Sequence, residues 1–209
     1  MTFWNICGDA RYLVFHCFIF IFAAFKRFKT CHFEIVMRKL KMEELGRKSV
    51  TEFKEATKIS VIAVLENVRS AYNVGSVFRT ADAFLIEAIY LTGYTAKPPH
   101  KEIKKTALGA EETVEWKHFP LAAEAVQHLK HNGYKVYAVE QVENSISLEK
   151  FETTDKVAVI FGNEVSGVEQ STIALCDGTI EIPQLGMKHS LNIATAAGVV
   201  LWELVRKRI

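Results

Sequence analysis

Four short apolar runs constrain what this chain can fold into more tightly than anything else in it. Ser60–Leu65 (SVIAVL), Ala88–Leu91, Tyr134–Glu140 and Val157–Phe161 are nearly unbroken by polar residues, as strands covered on both faces must be. Helical patterns stand between them: Val74–Ala83 follows the first, and Leu121–Asn132, closed by Gly133, precedes the third. A last helix is expected over Leu191–Arg208, apolar through Ile193, Ala197, Val200, Leu201 and Leu204. Strands alternating with helices imply an α/β fold, a mostly parallel sheet with helices on both faces. Ligands on such sheets bind beyond the carboxyl ends of the strands.

Three segments break these simple patterns, each at or just after an expected strand end. They are Asn67–Ala83 (NVRSAYNVGSVFRTADA), Ile160–Gln170 (IFGNEVSGVEQ) and Ile182–Gly198 (IPQLGMKHSLNIATAAG). Polar residues placed against an apolar run without a local reason point to function. In the first, Asn73 sits at a loop–helix junction and Arg79 lies about 9 Å further along the axis at about 1.5 Å per residue. Two readings stay open there: an N-cap with a surface arginine paired to Asp82, or an asparagine and an arginine aimed at one mouth. The second segment leaves its strand through Gly162-Asn163-Glu164, where Glu164 either accepts from a bound group or only sits in a tight turn. In the third, Pro183 ends the strand Thr179–Ile182, Gly186 turns the chain and Ser190 is expected to cap a helix holding Asn192 in its first turn. There is no GxGxxG and no Walker sequence, which disfavours a nucleotide-binding metabolic enzyme.

Charge narrows the partners. The net charge is +2, and Arg11, Lys26, Arg27 and Lys29 against Asp9 and Glu34 account for all of it. From Met37 onward the two signs balance, so a nucleic acid would have to meet a local basic patch. Two patches offer themselves. One is the lead-in Arg38–Lys48, expected as a helix–turn–helix over Met37–Ala56 with Gly46 between and Ser49 or Thr51 as cap. The other is Gly93–Lys105, where Pro98-Pro99 is expected to forbid regular structure and leave Lys97, His100, Lys101, Lys104 and Lys105 on an exposed loop. The cysteines Cys7, Cys17, Cys31 and Cys176 form no CxxC pair, so neither a structural metal nor a disulfide framework is expected and the cytoplasm suits the chain. Residues 1–36 are read as an extension outside the folded unit, which runs from Met37 to Ile209 with a lead-in over 37–58. Its apolar run Tyr12–Phe25 is shorter than the roughly 20 residues that span a bilayer, and no membrane partner is expected.

Taken together, the three segments resemble, in order and spacing, the motifs of the SpoU-type RNA 2'-O-ribose methyltransferases of the SPOUT superfamily. The likeness runs from about Met37 to the C-terminus and is carried by Asn73, Arg79, Gly162, Glu164, Pro183, Ser190, Leu191 and Asn192. The resemblance implies a parallel sheet whose C-terminal part is tied in a trefoil knot, which no general rule of chain connection anticipates. It implies a homodimer acting on tRNA or rRNA, with S-adenosylmethionine bound in the knot and no metal. Arg79 corresponds to the family's catalytic arginine, and Asn73, Glu164, Ser190 and Asn192 to its supporting polar residues. Cofactor contacts fall by resemblance on Glu140, Phe161, Gly162, Ile182, Leu185, Gly186 and Leu191. Two positions depart from the family pattern: Gln184 replaces a methionine, and Leu85 stands where a glycine commonly ends the first motif. The alternative on the same fold is a non-catalytic RNA-binding or assembly protein.

Overall fold

The computed structural model describes residues 37–152, 155–188 and 190–209, so the expectation placed on residues 1–36 lies outside the described residues. The chain divides into two compact units, Met1–Arg47 and Lys48–Ile209. In the described part of the first, Met42–Leu45 forms a single 3-10 turn ended by Gly46 at φ 58. Arg38 grips Glu44 through two hydrogen bonds of 2.9 and 2.7 Å. That grip, with the Lys41 N–H, holds the Glu44 carboxyl down to about 2.

The second unit opens with α1 (Val50–Glu55), where Ser49 and Glu52 form a reciprocal capping box. Of the two caps considered from sequence, Ser49 is the one used. Among the described residues seven strands follow: β1 (Ile59–Glu66), β2 (Ile86–Thr92), β3 (Glu115–Phe119), β4 (Lys135–Val139), β5 (Ile146–Ser147), β6 (Val157–Phe161) and β7 (Gly178–Glu181). They lie in the order β3-β2-β1-β6-β4-β7-β5, and each recorded pairing is parallel.

Alternation splits each central strand between two cores. Val61, Ala63 and Leu65 of β1, with Val157, Val159 and Phe161 of β6, face α2 (Ala71–Ala83), α3 (Lys101–Ala107) and α7 (Ile193–Arg206). Ile62, Val64, Ala158 and Ile160 face the other way, onto Ala125, Val126 and Leu129 of α5 (Ala122–His131). Two covered faces explain why the runs read as continuously apolar. Short helices α4 (Ala110–Thr113) and α6 (Gln170–Ile173) complete the unit.

Several expectations are corrected. Pro98 and Pro99 do not abolish structure over Gly93–Lys105; they end just before α3, whose N-cap is His100, its Nδ1 accepting from the Glu102 N–H at 3.2 Å. A proline breaks a helix from within but is harmless ahead of it. The helix carrying Asn73 starts earlier than expected, with Ser70 as N-cap accepting from the Asn73 N–H at 3.3 Å. Asp82, considered as a partner for Arg79, instead accepts from the Thr113 hydroxyl at 3.1 Å. The last helix begins at Ile193, so Asn192 is its cap and Ser190 lies two residues outside it. Leu85 has a φ of 54, a left-handed conformation that disfavours any side chain. A glycine there is unstrained, which is a physical reason for one at that position. Leu85 instead packs its side chain against the core.

Candidate active site

The carboxyl ends of β4, β6 and β7 open into one cleft of about 450 Å³. Val139, Phe161, Ile182, Leu191 and Ile193 supply its apolar walls, and Glu140, Glu164, Gln184, Ser190 and Asn192 its polar ones. A cleft of this size, with apolar walls and few polar groups, suits a nucleoside-sized ligand.

Its floor depends on glycine. A Cβ on Gly162 would lie 2.1 Å from the carbonyl carbon of Gly167 and 2.2 Å from the Val168 nitrogen, so two backbone strands touch where no side chain fits. Asn163 and Gly167 exchange backbone hydrogen bonds of 2.9 Å in each direction, closing the loop between them. Glu140 fastens the loop from the side, accepting from the Val168 N–H at 3.1 Å and from Gln141 N–H at 3.0 Å.

At the mouth, the three polar segments meet in a chain of hydrogen bonds. Glu164 accepts from the Arg69 N–H (2.9 Å) and the Ser70 N–H (3.1 Å), so it caps the open end of α2 across 95 residues of sequence. The same carboxylate accepts from Asn73 Nδ2 at 3.0 Å, and Asn73 Oδ1 accepts from Asn192 Nδ2 at 3.2 Å. Asn192 Oδ1 in turn accepts from the Ala194 and Thr195 N–H groups at 2.9 and 3.4 Å. A carboxylate only accepts and a helix N–H only donates, so both asparagine amides have their orientation fixed. Burial alone works to raise the Glu164 carboxyl, but the Arg69 N–H, Asn73 and Ser70 N–H together outweigh it and the net shift is downward. Glu164 therefore stays ionised and is a poor proton acceptor.

Not every expected site residue gathers here. Of the cofactor set, Glu140, Phe161, Gly162, Ile182 and Leu191 line the cleft, whereas Leu185 and Gly186 are exposed and outside its lining. Of the catalytic set, Glu164, Ser190 and Asn192 line it and Asn73 is bonded to two of them. Arg79 stands apart, on the exposed face of α2 in a separate shallow hollow with Ser76, Phe84 and Lys105.

Sequence reasoning passed over two residues. Asn163 is buried and ties four groups together, donating to the Asn67 carbonyl (2.8 Å) and the Tyr94 hydroxyl (2.7 Å) and accepting from the Val165 and Ser166 N–H groups. Glu66 is buried at the end of β1, accepting from Thr172 Oγ1 at 2.5 Å and from the Glu169 N–H at 3.1 Å. A carboxylate ending an otherwise apolar strand was the available signal for Glu66. Asn163 had none beyond its place between a glycine and a glutamate.

The SpoU rRNA Methylase family model matches residues 60–202, a stretch that takes in all three segments and every strand but the first residue of β1. The chain belongs to this family. As a SpoU-family member it is an RNA methyltransferase. It is 33% identical over 166 residues to the tRNA (guanosine(18)-2'-O)-methyltransferase of Thermus thermophilus, covering 79% of this chain and 84% of that protein. Its fold matches the crystal structure of the A. aeolicus TrmH/SpoU tRNA modifying enzyme with a TM-score of 0.69 at 24% identity, over 76% of this chain and 80% of that one. The fold also matches the SpoU methyltransferase AviRb of Streptomyces viridochromogenes, solved in complex with AdoMet, with a TM-score of 0.67 at 22% identity, over 82% and 63% of the two chains. Among the described residues no group of His, Cys, Asp or Glu is placed to hold a metal ion, and no helix is long and apolar enough to cross a membrane.

Proposed function

We propose that this SpoU-family chain methylates a ribose 2'-hydroxyl of tRNA, with S-adenosylmethionine as the methyl source. The observation that carries the reading is the hydrogen-bonded series Glu164–Asn73–Asn192, which joins all three segments at the mouth of one nucleoside-sized cleft. The tRNA, rather than rRNA, substrate is supported by what the Thermus and A. aeolicus proteins are named for.

The cleft fits the cofactor. Phe161, Ile182 and Leu191 give apolar contact for an adenine, and Glu140 lines the same cleft with a carboxylate able to accept from ribose hydroxyls. When bound, S-adenosylmethionine supplies a methyl group on a sulfonium, a good electrophile needing an aligned oxygen rather than a strong base. Asn73 and Asn192 each keep one Nδ2 hydrogen beyond the bonds described, so both present donors to an incoming oxygen. Held rigidly, such donors orient a hydroxyl for in-line attack, and positioning of this kind supplies much of a rate. Ser190, exposed at the cleft edge, adds a hydroxyl able to donate or accept.

Arg79 fits this scheme through a second copy of the chain. It lies outside the lining of its own cleft, and the neighbouring surface of α2 and α7 carries exposed Val199 and Trp202, the latter tilted against Phe84 with ring centroids 5.6 Å apart. A homodimer closed over that apolar face brings Arg79 of one protomer toward the cleft of its partner, where it contacts the phosphate beside the target nucleotide and assists loss of the hydroxyl proton. The trefoil knot of the C-terminal segment, Leu185 and Gly186 closing over the bound cofactor, and a cytoplasmic setting that keeps cysteines reduced belong to the same proposal.

The test is direct. Purified chain incubated with methyl-labelled S-adenosylmethionine and an unmodified tRNA transcript should place label on a single ribose 2'-oxygen, mapped by resistance of that linkage to alkali. Binding of cofactor without any transfer to RNA would overturn the reading.

A further inference from the structure

A second hollow, of about 440 Å³, lies at the β3 edge of the sheet, formed by Pro98, Pro99, His100, Lys101, Lys104 and Trp116. None of these residues takes part in the cleft described above. The half-buried Trp116 ring and two prolines give it flat apolar walls, and the α3 lysines line its rim. Two acidic residues, Glu111 and Glu112, share the lining with them. Glu111 turns back to accept from the Gly109 N–H at 3.0 Å, and Glu112 meets Lys104 only at 4.0 Å with both side chains largely exposed. His100 uses Nδ1 to cap α3, which leaves Nε2 as a donor.

The hollow is also mechanically tied to the site. Thr106 of α3 donates to the Tyr72 carbonyl at 3.0 Å, one residue before Asn73, and a Cβ on Gly75 would lie 2.1 Å from the Thr106 hydroxyl. Toward the same residue, Lys105 sits 5.6 Å from the ring centroid of Tyr72. The short helix thus presents lysines both toward the hollow and toward the first turn of α2. An aromatic ring flanked by lysines, beside a helix hydrogen-bonded to the first turn of α2, has the composition of a single-stranded nucleotide platform.

We propose that this hollow takes an unpaired nucleobase of the substrate RNA, outside the methylated nucleotide, stacked on Trp116 with Lys101 and Lys104 on the flanking phosphates. The proposal rests on the reading of this chain as an RNA methyltransferase and adds where a second nucleotide is held.

The test uses the full chain, a fluorophore-labelled unmodified tRNA transcript and a blunt RNA duplex lacking unpaired bases. Trp116→Ala should weaken transcript binding by about fivefold or more, the lower end of what one stacked base contributes. Trp116→Phe should stay within about twofold because it keeps a stacking ring. Duplex binding and calorimetric affinity for S-adenosylmethionine should be unchanged in both. Trp116→Leu guards against a folding defect, since it keeps an apolar side chain toward the core and should still lose transcript affinity. Equal transcript binding by wild type, Trp116→Ala and Trp116→Leu would overturn the proposal. So would a loss seen only in Lys101→Glu/Lys104→Glu, which would leave a charged surface without a base pocket. Methyl transfer by the wild type is scored in the same series, so failure of the enzymatic reading is seen separately from failure of the hollow.

Discussion

Asn192 donates through Nδ2 to Oδ1 of Asn73 at 3.2 Å, joining two residues 119 positions apart. Neither is oriented alone. The Glu164 carboxylate fixes one amide and the first N–H groups of α7 fix the other. The pair is therefore a single positioning unit.

Asn73→Ala and Asn192→Ala should each lower kcat by about 10- to 100-fold, the effect of losing one ordered hydrogen bond of roughly 1–3 kcal/mol. The double variant should be scarcely worse than either single one, because the second change removes a partner already idle. Steady-state methylation kinetics on the cycle decide this; fully additive losses would mean the two amides act independently.

Arg79→Ala should abolish methylation while leaving S-adenosylmethionine affinity intact, since Arg79 is outside the cleft lining. If it acts across a dimer, mixing equal amounts of Arg79→Ala and Asn192→Ala chains, unfolded and refolded together, should add about a quarter of wild-type activity above the residual activity of the Asn192→Ala chains by random two-fold pairing. Mixtures as inactive as their components would place the arginine in its own protomer's site.

Gly162→Ala should lower thermal stability by the equivalent of about 1–3 kcal/mol, the usual penalty for forcing atoms into a filled space. The clash is with backbone, not with a side chain that can swing away. Calorimetry should show cofactor binding weakened in the same variant, because the displaced loop is the cleft floor. An unchanged melting temperature would contradict the close approach.

Glu164 links the site to pH. Its carboxyl is held below the ordinary glutamate value of 4.5, so its contribution is complete above that value and is lost as pH falls through the lowered folded value. The melting-temperature difference between wild type and Glu164→Gln should thus be flat from about pH 7 to pH 5 and close as pH falls below the ordinary glutamate value of 4.5. A gap that widens with acid would reverse the sign and refute the assignment.

How far the sequence disclosed this molecule depended on what each residue answers to. β1 and β6 were plain because double burial leaves an unbroken apolar run. β3 was not, because Glu115, Trp116, Lys117 and His118 lie at a sheet edge where only partial burial shapes composition. Ser70 and Asn192 are caps, yet Asn73 and Ser190 were equally good candidates by residue type. The difference is where the backbone turns, and at the start of α2 that turn is held by Glu164 far away in the chain. Glu164 itself was legible as a polar residue out of place, but its partners were not, since they lie 91 to 95 residues distant. Local chemistry nominated the site residues; long-range contacts assigned their jobs.

The strand order carries a consequence for synthesis. β1 emerges early and pairs with β2 on one side, but its other edge waits for β6, as in the pairing of Val64 with Ile160. On the ribosome the N-terminal half thus holds a long apolar strand with an open hydrogen-bonding edge while nearly a hundred further residues are made. Chaperone dependence and aggregation of prematurely terminated chains should therefore concentrate on products ending before Phe161, and vanish once that strand can dock.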